Sequence, residues 1–152
     1  MVIGFRSFSD GFAYVVLDGS QSALQVVAKN RVFLPKGESW PKCLSWVRRQ
    51  LGEILNAYAV NGACIKTIEP VAKRKSAERI QVEAIIQEYL CTAHTLRCSV
   101  RIKSQLKRDI KGFIDHARCL DRVLVNNQVL AELNTLVYQE ATLAAVSELP
   151  ES

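Results

Sequence analysis

The stretch TIEPVAKRKSAERI, residues 67–80, ends an apolar run on a carboxylate, Glu69, breaks at Pro70, and then carries Lys73, Arg74, Lys75 and Arg79. Clustered cations of this kind contact phosphates without reading sequence. The same residues also suit a solvated loop between a strand and a helix. A second basic stretch, KSQLKRDIKGF, holds Lys103, Lys107, Arg108 and Lys111. Glu140 is a carboxylate out of place. It falls seven residues after Leu133, three after Val137 and four before Ala144, on the apolar stripe of a helical pattern. A charge there is costly unless it is paired or metal-bound, or unless it sits at the stripe edge and reaches solvent.

Two further sets of residues could do chemistry. Cys91 and His94 are three apart, as are His116 and Cys119, so each pair can share a helical face and supply half of a Cys₂His₂ zinc site. The five cysteines include no CxxC, and free buried thiols are the other reading. Asp10 and Asp18 stand at turn signals and read as turn formers. No GxGxxG, GxxxxGK or GxSxG occurs.

The elements that must position these residues follow from periodicity. Residues 2–8, 12–17 and 24–34 read as three strands joined by short turns, an antiparallel meander. Ser39 is placed to cap a helix with Pro41 in its first turn. Its stripe is Leu44, Val47, Leu51, Ile54, Leu55 and Tyr58, and Asn61-Gly62 ends it. Residues 63–68 form a short strand. Ser76 caps a second helix with the stripe Val82, Ile85, Ile86, Tyr89, Leu90 and Ala93. Residues 99–102 read as a fifth strand and the basic stretch after them as helical. Asn126 or Asn127 starts a last helix that carries Glu140, and the tail from Pro150 frays. The order βββαβαβα predicts an α/β fold with a mixed five-stranded sheet and helices on both faces.

The 152 residues predict one domain over 1–149. A composition of 49% hydrophobic and 23% charged residues excludes a disordered or fibrous chain. With no apolar run of 18 residues, no membrane span is expected. The start MVIGFRSF has no signal-peptide pattern, so the expected location is cytoplasmic. A net charge of +5 favours an anionic partner, nucleic acid before a membrane surface.

The order and several local segments resemble the RNase H-like superfamily, in its RuvC-type Holliday-junction resolvase branch. VIGFRSFSDGFAYVVLD resembles the family's opening pair of strands. TIEPVAKRKSAERI resembles its second acidic strand end with the loop and helix that follow, and YQEATLAAV its closing helix. Such a fold implies carboxylates that hold two Mg²⁺ or Mn²⁺ ions for phosphodiester cleavage. The resemblance puts the first acid at position 6, where this chain has Arg6, the second at Glu69, and the last near Glu140 and Thr142.

Arg6 offers a forked donor to Glu140, Glu69 or both, and would put fixed charge where relatives hold metal. The resemblance then places Lys73, Arg74, Lys75 and Arg79 beside the cleft, flanked by Lys103, Lys107, Arg108 and Lys111. The leading expectation is a catalytically degenerate RuvC-like domain, without cofactor, that binds DNA or RNA or serves as a subunit of a nucleic-acid-processing assembly. One alternative is an active Mg²⁺- or Mn²⁺-dependent nuclease. Another is a structural interaction module with no nucleic-acid role. A protein partner or a homodimer is compatible with each.

Overall fold

Alternation along the first strand decides which helices it meets. In β1 (Val2–Phe8), Ile3 and Phe5 join one core and Val2 the other. A computed structural model of the chain describes residues 1–92, 96–110, 135 and 137–151. β1 pairs antiparallel with β2 (Gly11–Ser20), and β2 with β3 (Ala23–Phe33). On its other side β1 runs parallel to β4 (Gly62–Lys66), and β4 parallel to β5 (Arg97–Arg101). The sheet order is β3-β2-β1-β4-β5.

One face is covered by α1 (Trp40–Ala57) and α2 (Ala77–Thr92). Their Val47, Leu51, Val82, Ile86 and Leu90 close over Ile3, Phe5, Phe12 and Ile65. The other face carries α3 (Lys103–Asp109) and α4 (Gln139–Glu148). There Ala141, Ala145 and Val146 pack on Val2, Val15 and Leu17, while Leu106 meets Cys64 and Ala144. α4 lies unusually close to the central strand. A Cβ added at Gly4 would stand 2.0 Å from the Ala141 carbonyl oxygen and 2.4 Å from the Ala145 nitrogen. The bare glycine is what lets the helix backbone settle on β1, and so what brings Glu140 near Arg6.

The mixed five-stranded sheet with helices on both faces is the predicted α/β architecture. Several boundaries differ, for local reasons. α1 ends at Ala57, not at Asn61-Gly62, because Tyr58 is extended (φ −127°, ψ 129°) and Gly62 already belongs to β4. Ser39 stands at the N-cap of α1, but its side chain makes no capping bond. Ser76 does cap α2, its Oγ accepting from the Arg79 backbone nitrogen at 3.2 Å. β4 stops at Lys66 because the Ile68 N–H is taken by the Glu83 carboxylate. Ile102 is the N-cap of α3 and not a strand residue. Val137 and Tyr138 form a turn, so α4 begins at Gln139; Asn126 and Asn127 lie outside the described residues. Leu130 and Leu133 lie outside the described residues. No helix among the described residues is long and apolar enough to cross a membrane.

Candidate functional site

Parallel register sets Arg6 of β1 beside Lys66 of β4, on the face covered by α4. The first turn of α4 brings Glu140 over them, and the turn after β4 brings Glu69. Arg6 Nε donates to Glu140 Oε2 at 3.0 Å. Lys66 Nζ stands 2.8 Å from Glu69 Oε1 and 3.5 Å from Glu140 Oε1. The Lys103 backbone nitrogen donates to Glu69 Oε1 at 2.9 Å, which ties the start of α3 to the same cluster. The hydrogen bond from Lys66, joined by that from Lys103, holds the Glu69 carboxyl below its ordinary pKa against the opposing effect of desolvation. Lys66 is the buried member, 4% exposed, and these two acids offset the cost of burying its ammonium.

Behind the cluster, on the α2 side, sits a buried carboxylate. Glu83 is 5% exposed. It accepts from Ser7 Oγ at 3.0 Å, from the Ile68 nitrogen at 3.2 Å, from Gln87 Nε2 at 3.3 Å and from Thr67 Oγ1. Its acceptor capacity binds the ends of β1 and β4 to α2. Ser7 Oγ in turn accepts from Arg79 Nε at 3.3 Å. The Arg79 Nη2 is buried and makes no hydrogen bond. Burial, with the repulsion of Arg6, lowers the Arg79 pKa, while Glu140, Glu83 and Glu69 pull it back up. An arginine starts so far above neutrality that it stays charged.

Arg6, Lys66, Glu69, Glu140 and Arg79 line one cavity of about 360 Å³ with Phe8, Arg74 and Lys75. Its titratable lining is Arg6, Lys66, Arg74, Lys75 and Arg79 against Glu69 and Glu140, five cations and two anions. The structure therefore brings Arg6, Glu69, Glu140, Arg74, Lys75 and Arg79 together. Lys73 is exposed and does not line this cavity. Lys103 lines a separate small recess, with Lys66 and Glu140 common to both. Lys107 and Arg108 are exposed on α3, with Arg108 beside Asp109 at 3.4 Å. Thr142 is buried and donates to the carbonyl of Tyr138, the N-cap of its helix, at 2.8 Å. Lys111 lies outside the described residues, as do His94, His116 and Cys119; Cys91 is exposed.

Sequence reading missed Lys66 and Glu83. Both left a signal. Lys66 follows the apolar run Ala63–Ile65 directly, a signal that does not by itself tell a paired lysine from one that reaches solvent. Glu83 falls midway in Arg79, Glu83, Gln87, a run of i, i+4 steps whose members can touch.

Among the described residues, the cluster does not fit the two-metal site that the resemblance implies. Glu140 has one oxygen on the Lys66 ammonium and the other on the Arg6 guanidinium, and Glu69 Oε1 is on the same ammonium. A divalent ion there would have to displace the Lys66 ammonium and the Arg6 guanidinium from these carboxylates. Among the described residues no group of three or more His, Cys, Asp or Glu could hold a metal ion.

No family model matches the chain, and no curated protein matches it. Solved structures do. RuvC of Thermus thermophilus in complex with a Holliday junction substrate gives a TM-score of 0.69 at 9% identity, over 96% of this chain and 90% of that one. A further structure of Thermus thermophilus RuvC gives 0.68 at 13% identity, over 96% and 91%. The Fowlpox virus resolvase in complex with its Holliday junction DNA substrate gives 0.57 at 10% identity, over 98% of each chain. At such identities the likeness is one of architecture, and it agrees with the strand order and helix placement described above. The chain has the RNase H-like fold of the RuvC-type Holliday-junction resolvases.

Proposed function

We propose that this chain binds nucleic acid through the cleft between β1, the turn after β4 and the start of α2, and that it does so without cleaving it. The observation that carries this reading is the pairing inside the cleft. Arg6 and Lys66 occupy the carboxylates that relatives of this fold would offer to metal, and Arg74, Lys75 and Arg79 remain on the wall. Fixed cations with an outward surplus suit phosphodiesters. The similar RuvC and fowlpox resolvase structures hold Holliday junctions, which makes a branched DNA the first substrate to try. The chain acts in this way alone or as a subunit of a nucleic-acid-processing assembly.

The test is binding of a duplex and of a four-way junction in EDTA over a range of salt. The expected result is a linear fall of log affinity with log salt, made shallower by Arg79→Ala. Binding that ignores salt, or no binding at low salt, would favour a structural interaction module instead. Metal-dependent cleavage would favour the active nuclease.

A further inference from the structure

Beyond the N-terminus of α4 the sheet face continues, and its cross-strand register places two kinds of side chain in rows. Arg6, Ala13 and Arg31 are neighbours across β1, β2 and β3, and so are Phe8, Gly11 and Phe33. The middle strand contributes only the small residues Gly11 and Ala13, so the long side chains of the outer two strands meet above it. Gly11 is required there: its φ is +147°, and a Cβ would stand 1.9 Å from the Val32 carbonyl oxygen.

The side chains that meet form a connected run of guanidinium and ring. Arg6 Cζ lies 3.8 Å from the Phe8 ring centre, Arg31 Cζ lies 4.0 Å from the same ring, and Arg31 Cζ lies 4.4 Å from the ring of Phe33. Arg31 is anchored by hydrogen bonds to the Val32 carbonyl at 2.8 Å and to Asp10, so the run is held in place. It starts in the cleft, where Arg6 and Phe8 both line the wall. It ends on Phe33, which is 61% exposed.

A single exposed phenylalanine is ordinary on a protein surface. A ring backed by an anchored guanidinium, in line with a cationic cleft, has a more specific use. Unpaired bases stack on aromatic rings and on arginine planes, and their phosphates are held by cations alongside. We infer that Phe33 is a stacking platform for one unpaired nucleobase of a strand whose phosphates lie in the adjacent cleft. The occupant is a nucleotide in a single strand, a flap or an open branch point, because a base inside a continuous duplex presents no free face. The inference rests on the reading of the cleft as a phosphate site and adds the preference for unpaired nucleotides.

The experiment compares wild type, Phe33→Ala and Phe33→Trp on a short oligothymidine and on a blunt duplex of the same length, in EDTA. Phe33→Ala should weaken oligothymidine binding by about five- to a hundredfold, the range that loss of one stacked base produces. Duplex affinity and both salt slopes should hold, since no phosphate contact is removed. Phe33→Trp should restore single-strand binding, and its added fluorescence should be quenched by oligothymidine and not by the duplex. Equal loss on both ligands, or no loss on either, would overturn the platform while leaving the cleft intact. Absence of salt-sensitive binding by wild type would overturn both readings together. Self-association of wild type that Phe33→Ala abolishes would also overturn it, by making the ring an interface between copies.

Discussion

Lys66 is the residue on which the cluster turns. It is the most buried charge of the four, and it faces both carboxylates. Lys66→Met should lower stability by about 2 kcal/mol at pH 7, between the costs of breaking a buried and an exposed pair, because it takes the shared cation from Glu69 and Glu140 while both stay partly exposed and Glu140 keeps Arg6. Arg6→Ala should cost only about 1 kcal/mol. Arg6 and Glu140 are 20% and 29% exposed, and Lys66 stays within reach of Glu140. Urea denaturation midpoints at constant slope would check both. The Glu69 pKa is lowered in the folded chain, so its contribution is whole above the unfolded value near 4.5 and is lost as pH falls through the folded one. The stability gap between wild type and Glu69→Gln should therefore be constant from pH 7 to pH 5 and close below about pH 4.5. A gap that widened toward acid would contradict the pairing. A partner for Arg6 among Glu140 and Glu69 was legible from the resemblance that sets Arg6 beside those acids, and the structure gives it Glu140. Lys66 was not, because in a short strand one lysine looks the same whether it snorkels to solvent or pairs.

The elements hold this cluster by two contacts, one steric and one polar. Gly4→Ala should push α4 off β1 and cost about 3 kcal/mol or more, since a backbone carbonyl and amide cannot yield as side chains do. Gly37→Ala is the control. Its φ is +78° with nothing near, so only the left-handed backbone penalty of about 1 kcal/mol applies. Glu83→Ala should cost about 3 kcal/mol by leaving the Ile68 N–H, Ser7 and Thr67 without their acceptor, and should loosen Arg79. Thermal melts rank the three, with Gly37→Ala nearest wild type. The sheet and helix order could be read in advance because period-2 and period-3.6 patterns follow burial, and Ile3, Phe5, Val82 and Ile86 stand where the pattern puts them. Boundaries could not. The end of β4 depends on an amide that a distant glutamate captures. The end of α1 depends on one extended residue, and the start of α4 on a turn that apolar spacing does not encode.

At the scale of the whole molecule, the +5 charge could act as a diffuse field or through one site. Arg74 and Lys75 line the cleft, while Arg48 and Arg49 lie on α1, which packs on the opposite face of the sheet from Arg6. Neutralising Arg74 and Lys75 together should flatten the log–log salt slope on duplex DNA by about 1.8, twice the value for one phosphate contact. Neutralising Arg48 and Arg49 should change it little. Equal effects would mean that net charge alone drives binding. On the proposed function, the cleft holds its carboxylates on arginine and lysine and binds nucleic acid without metal. Incubation of a four-way junction with highly purified protein in EDTA, in Mg²⁺ and in Mn²⁺, with binding and cleavage read on the same samples, tests it most directly. Complexes in EDTA and no cleavage product in any of the three are the expected result. Cleavage that requires Mg²⁺ or Mn²⁺ and disappears in Glu69→Gln would contradict it.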